Sequence, residues 1–163
     1  MTDIFYSPSK GKLDLGAVIS EIAEFLTSDP EGSYCLVVGT DSHKNGKPHA
    51  ADFVTAVVVH HQGRGGRYFW TRRSKGNIYS LRDKIYQETL LSLELAGTLV
   101  PRLHQSLDSP ENTYRLEIHI DVGQNGPTRE MIREVVGMVV GNGYTAKTKP
   151  EAYGAFVVAD RYA

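Results

Sequence analysis

Cysteine is nearly absent: Cys35 is the single one in 163 residues, so no internal disulfide can form. Its place in the apolar stretch Tyr34 to Val38 reads as a buried structural thiol in a reducing compartment. Long hydrophobic runs are missing too. The longest, around 54–59 and 135–140, fall far short of the roughly 20 residues that a membrane-spanning helix needs. Residues 1–6 carry no basic start, apolar stretch or small-residue cleavage site of a secretory leader, so the expected compartment is the cytoplasm. Charge of one sign is not in excess either, since the net charge is -1. That excludes a generally basic coat, and any contact with nucleic acid must come from local patches.

What is present fits one domain spanning residues 1–163, with 40% hydrophobic content and about two-thirds of the unfolded surface available for burial. Apolar residues Leu15, Val18, Ile19, Ile22, Phe25 and Leu26 repeat at three and four, which predicts an amphipathic helix capped by Asp14 and stopped before Asp29-Pro30-Glu31-Gly32. Runs at 34–40, 53–60 and 68–73, joined by short turns, predict an antiparallel meander. Ser80-Leu81-Arg82-Asp83 resembles a capping box and opens a long helix up to Pro101. Alternation over 114–121 predicts a fourth strand, Pro127 a helix start, and 144–149 a short fifth strand. A final helix carries Tyr153, Phe156, Val157 and Asp160 on one face.

A strand, a long helix and a second strand form a βαβ unit, whose right-handed crossover sets the two strands parallel and close. Asp41 closes the first such strand and Asp121 the second, so both reach one carboxyl edge, where open α/β sheets place ligands. Glu88 falls between Ile85 and Ser92 on the apolar stripe of the connecting helix, whereas Asp83 and Glu94 project to the opposite side. A carboxylate turned towards a sheet is costly unless paired. No cationic neighbour is obvious in the sequence, so the expected partner is a hard divalent cation, Mg²⁺ or Mn²⁺. Two such ions would clamp the attacking and leaving oxygens of a phosphodiester.

The segments Val38-Gly39-Thr40-Asp41-Ser42, Ile120-Asp121-Val122-Gly123, Gly126-Pro127-Thr128-Arg129-Glu130, Lys149-Pro150 and Ala159-Asp160-Arg161-Tyr162 resemble those of the YkuK family. These are bacterial proteins assigned to the ribonuclease H-like superfamily, and the resemblance runs from about Phe5 onwards. It implies an α/β fold with a mixed five-stranded sheet, helices on both faces and, here, an extra N-terminal helix. It also implies that acids of the first strand, first helix, fourth strand and last helix hold metal, matching Asp41, Glu88, Asp121 and Asp160. His43 stands where the family pattern has glutamine.

Around the acids, Ser42 and His43 are candidate substrate contacts, His43 because its ring titrates near neutral pH. Thr128 and Arg129 are candidates for a phosphate at a helix start. Arg64, Arg67, Arg72, Arg73 and Lys75, continuing to Arg82 and Lys84 with Tyr68, Phe69 and Trp70 interleaved, form the clearest basic and aromatic patch for nucleic acid, and Arg72, Arg73 and Lys75 are its candidate substrate contacts. His119 shares a strand face with Glu117 and reads as a packed histidine. The expected activity is metal-dependent phosphodiester hydrolysis of RNA, an RNA/DNA hybrid or structured DNA. The competing reading is a nucleic-acid or protein-binding module that kept the fold without catalysis.

Overall fold

The computed structural model describes residues 3–107 and 114–152. The chain opens with a hairpin of two short strands, β1 (Phe5–Ser7) and β2 (Gly11–Leu13). Gly11 has φ 71°, a left-handed turn conformation that glycine adopts without a Cβ clash. Helix α1 (Leu15–Thr27) follows, and its Asp14 cap accepts a 2.8 Å hydrogen bond from the Ala17 amide. Its buried stripe is Val18, Ile19, Ile22 and Leu26, as the periodicity requires.

Three long strands then form the meander: β3 (Tyr34–Lys44), β4 (Ala51–His61) and β5 (Gly65–Lys75), paired antiparallel over their full lengths. Helix α2 (Leu81–Gln105) crosses over, passing through Pro101 rather than stopping there. It leads to β6 (Arg115–His119), which pairs parallel with β3. A 3-10 turn at Arg129–Met131 precedes α3 (Ile132–Gly141), and β7 (Thr145–Lys147) adds parallel to β6.

Among the described residues the sheet therefore has seven strands in the order β2-β1-β5-β4-β3-β6-β7, not the expected five. The five expected strands are β3 to β7. The two extra ones extend the β5 edge through the pair Tyr6 and Trp70, whose rings stack at 4.6 Å. The segments Phe5–Ser7 and Gly11–Leu13 are short and carry no apolar alternation that marks them as strands.

Leu36 and Val38 of β3, Ile118 of β6, and the buried stripes of α1, α2 and α3 belong to one core, so the three described helices share one face of the sheet. A second cluster of Cys35, Val37, Val54 and Ala56 lies on the opposite face, and Cys35 is buried as expected. The anticipated final helix at 153–160, with Asp160, lies outside the described residues. Among those described, no helix is long and apolar enough to cross a membrane.

Candidate active site at the carboxyl edge of the sheet

Parallel pairing of β3 with β6 ends at Gly39 opposite His119. Asp41 and Asp121 each lie two residues further along the chain, and both line one cleft at the carboxyl end of these strands. β3 runs on past Asp41 to Lys44, held there by β4 alone, whereas the chain after β6 turns sharply, with the Val122 amide donating to the Ile120 carbonyl at 2.9 Å. The Lys149 amide donates to the Val122 carbonyl at 2.8 Å and fixes this corner from the far side. Burial raises the Asp41 carboxyl above its ordinary value and the nearby Asp121 adds to that, while the Ser42 amide, donating at 2.9 Å, and the Lys84 charge oppose it.

Helix α2 delivers the third acid. Ser80 accepts from the Asp83 amide at 3.1 Å while Asp83 accepts from the Tyr79 amide at 2.9 Å, and these reciprocal bonds start the helix at a fixed point. Glu88 then falls on the buried stripe with Ile85 and Ser92 and is 3% exposed. Its Oε2 accepts from the Ser42 hydroxyl at 2.6 Å and pairs with Lys84 Nζ at 3.0 Å. Its Oε1 is buried with no hydrogen-bond partner. Loss of water pushes the Glu88 carboxyl up to about 7, against the pull of Lys84 and Ser42.

The acids are not without cations, which corrects the expectation from the sequence. Lys84 sits one turn before Glu88, and Lys149 Nζ reaches Asp121 Oδ1 at 2.6 Å. Burial works to lower the Lys84 ammonium, but Glu88, Asp41 and Asp121 together outweigh it and raise it. The Lys84 and Glu88 shifts imply opposite charge states for the carboxylate. At Glu88, 3% exposed with one orphaned oxygen, burial dominates; Lys84, with 30% of its side chain exposed, is the cation throughout.

Among the described residues no group of three or more His, Cys, Asp or Glu side chains comes together as a ready metal site. Asp41, Asp121 and Glu88 nevertheless supply only oxygen donors, as Mg²⁺ prefers, and Glu88 Oε1 is a buried acceptor lacking a donor. The set fits a hard divalent ion once the lysines give way. Lys149 can do so readily, because 57% of its side chain is exposed.

The remaining sequence candidates are placed differently from one another. Ser42 is buried and its hydroxyl is committed to Glu88, so it orients an acid rather than meeting substrate. His43 Nε2 lies 3.8 Å from Asp41 Oδ2 beside a cleft of about 950 Å³ that Asp41, Asp121 and Lys84 also line. Thr128 does not open an α-helix with amides aimed at a phosphate. It precedes the 3-10 turn, and its hydroxyl accepts from the Gly123 amide at 3.1 Å, closing the loop after Asp121. Arg129 is exposed within that turn.

The basic patch divides between the two sheet faces because strand residues alternate. Arg72 is in register with Val54 and Asp41, two strands and therefore about 10 Å from the acid. Arg73 points to the helix-bearing face, where Asp3 and Glu94 bind it and raise its already high pKa, so the strand's most buried arginine is a structural clamp. Lys75 is in register with Ala51 and Lys44. His119 is fully buried and bonded to Glu117 at 3.0 Å, with burial lowering its pKa, as a packed histidine should be. Sequence reasoning gave Lys84 and Lys149 only to basic surface and missed their pairing with Glu88 and Asp121. The i to i+4 spacing of Lys84 and Glu88 was the available signal for the first, while Lys149 reaches Asp121 only through the corner at Val122.

Residues 17–163 match the family model described as Ribonuclease H-like. The chain is also 31% identical, over 98% of its own length and 96% of the relative's, to the protein named "Uncharacterized protein YkuK" of Bacillus subtilis (strain 168). No solved structure matches it. With a mixed sheet in which β3 and β6 lie parallel and bring Asp41 and Asp121 to one edge, this chain belongs to the ribonuclease H-like family, as a protein of the YkuK type.

Proposed function

We propose that this protein is a metal-dependent nuclease that hydrolyses phosphodiester bonds of RNA, an RNA/DNA hybrid or structured DNA. The observation that carries the proposal is that Asp41 on β3 and Asp121, two residues past the end of the adjacent parallel β6, line one cleft, with Glu88 and its orphaned oxygen buried beside them. Asp41, Asp121 and Glu88 would hold Mg²⁺ or Mn²⁺, with Asp160, outside the described residues, as the fourth acid of the family pattern. Such an ion polarises the phosphate and makes water a better nucleophile near neutral pH.

The protein's own residues do the rest. Ser42 orients the Glu88 carboxylate through its 2.6 Å hydrogen bond. Lys84, lining the cleft, offsets negative charge that develops on the phosphate. Lys149 occupies Asp121 until a metal takes its place. His43, which lines the cleft, would contact the substrate backbone.

The test is incubation with a panel of single-stranded, hybrid and branched substrates in Mg²⁺, Mn²⁺ and EDTA, beside the variant Asp41→Asn. The expected result is metal-dependent products that the variant does not form. A panel without such products overturns the proposal.

One observation favours a second reading, a binding module without catalysis. The pairs Lys84–Glu88 and Lys149–Asp121 already neutralise two of the acids without a metal. Calorimetric titration separates the readings, since a module stabilised by its lysines gives no Mg²⁺ binding heat.

A further inference from the structure

Beside the acids, the cleft is bounded by the β3–β4 turn and by the segment before α2, and two aromatic rings meet there. Tyr79 is 66% exposed, the most exposed large apolar side chain among the described residues, and its ring lies against His49 with centroids 4.3 Å apart and planes 31° from parallel. Both rings stand on fixed backbone. The Ile78 amide donates to the His49 carbonyl at 2.9 Å, tying the two loops together, and the Tyr79 amide donates to Asp83. Asn45 bonds Asp52 at 3.0 Å and accepts from the Lys47 amide at 3.1 Å, which pins the turn.

Among the described residues, His49 and Asn77 are the non-glycine ones with positive φ, 52° and 62°; the first carries one of the two rings and the second lies two residues before Tyr79. Both angles lie in the left-handed region, which histidine and asparagine enter more readily than most residues but still at some steric cost, and at position 49 that conformation carries the ring lying against Tyr79. Strain of this kind gathers at functional sites. A large ring left in water on a supported platform is a stacking surface, and the exposed Lys44 and Lys47 line the same cleft.

We propose that this cleft seats an unpaired nucleotide of a single-stranded nucleic acid, its base stacked on Tyr79 and its flanking phosphates against Lys44 and Lys47. The proposal deepens the nuclease reading and rests on it. Bases within a duplex are already stacked, so only an unpaired base can offer its face to the tyrosine. About 950 Å³ lies at the upper end of the range for small-molecule sites and accommodates a nucleotide with its neighbouring phosphates. Because Asp41 and Asp121 line the same cleft, the strand held on Tyr79 runs directly to the acids.

The experiment measures binding of short fluorescent single strands, RNA and DNA of one sequence, and of the blunt duplex, all in EDTA so that metal-dependent cutting does not run. Single strands of at least one sugar are expected to bind more tightly than the duplex. Tyr79→Ala should weaken that binding about tenfold, and Tyr79→Trp should keep it. Lys44→Ala combined with Lys47→Ala should flatten the salt dependence by about 0.7 in slope per lost contact. Melting curves of Tyr79→Ala should match the parent, since the side chain is exposed. The platform is overturned if Tyr79→Ala binds as the parent does, if the duplex binds as tightly, or if no single strand binds. Tyr79-dependent binding without Mg²⁺-dependent cleavage would instead overturn the nuclease reading alone.

Discussion

Lys149 Nζ lies 2.6 Å from Asp121 Oδ1, and it gets there because the Lys149 amide is bonded to the Val122 carbonyl one residue beyond the acid. The ammonium thus holds the position where a divalent ion would bind Asp121. On the proposed metal binding, lysine and metal would compete for this one oxygen. Lys149→Met is expected to bind Mg²⁺ more tightly than the parent, while metal-free stability changes by no more than about 1 kcal/mol, the usual scale for a partly exposed pair. Calorimetric Mg²⁺ titrations of both proteins check this. Equal affinity would remove Lys149 from any part in metal exchange.

Asp121→Asn removes the other partner. Had the acids been crowded without a cation, the substitution would relieve repulsion and stabilise the metal-free protein. With Lys149 in place it instead loses an ion pair, so a cost of up to about 1 kcal/mol is expected in EDTA, or roughly 2–4 °C in melting temperature. Excess Mg²⁺ should raise the melting temperature of the parent and leave the variant nearly unmoved, because only the parent gains from binding to the folded state. A variant that responds to Mg²⁺ as the parent does would sink Asp121 as a ligand.

The sequence was most legible where one local pattern decides the outcome. The Asp14 and Ser80 caps, the β3–β4–β5 meander and the parallel return to β6 follow from periodicity, capping residues and the handedness of crossovers, and they suffice to bring Asp41, Asp121 and Glu88 to one region. What stayed hidden depends on contacts between distant segments. Lys149 meets Asp121 across a corner, Arg73 is claimed by Asp3 seventy positions earlier, and Tyr79 finds His49 only when two loops close. Alternation along β5 was visible in principle and should have split Arg72 from Arg73. The hairpin of β1 and β2 was too short to carry any period.

Arg73 separates structural from binding charge. Its Nε bonds Asp3 Oδ1 at 3.0 Å and its Nη1 bonds Glu94 Oε1 at 3.0 Å, so it ties the N-terminal segment and α2 to β5. Arg73→Ala should lower stability by about 1 kcal/mol, discounted for the partial exposure of the cluster, and leave the salt slope of nucleic-acid binding unchanged. Arg72→Ala and Lys75→Ala carry the reverse expectation of a flatter slope, and Arg72→Ala also gives up the contact of its guanidinium with the Trp70 ring. Salt titrations and urea melts of the three variants decide it, and a flattened slope for Arg73→Ala would return that residue to the interface.

Glu88 gives the site a pH dependence whose sign is fixed by its burial. In the folded protein its carboxyl is pushed up to about 7 from an ordinary value of 4.5. The folded state therefore holds a proton that the unfolded chain has already released over that interval. Its contribution to stability is complete below about pH 4.5 and is lost progressively as the pH rises through about 7, a swing of up to about 3 kcal/mol. Glu88→Gln keeps the shape and an acceptor for the Ser42 hydroxyl but cannot ionise. Groups away from Glu88 titrate alike in both proteins, so the difference between their urea-unfolding free energies reports this carboxyl together with its coupled neighbours Lys84 and Asp41. The parent should lose stability relative to the variant between about pH 5 and pH 8, and at the upper end the variant should be at least as stable. Excess Mg²⁺ should shrink that relative loss, because a bound cation favours the ionised carboxylate. Parallel pH profiles for the two proteins would mean that Lys84 and Ser42 fully compensate the burial of Glu88, leaving no strained carboxylate for a metal to relieve.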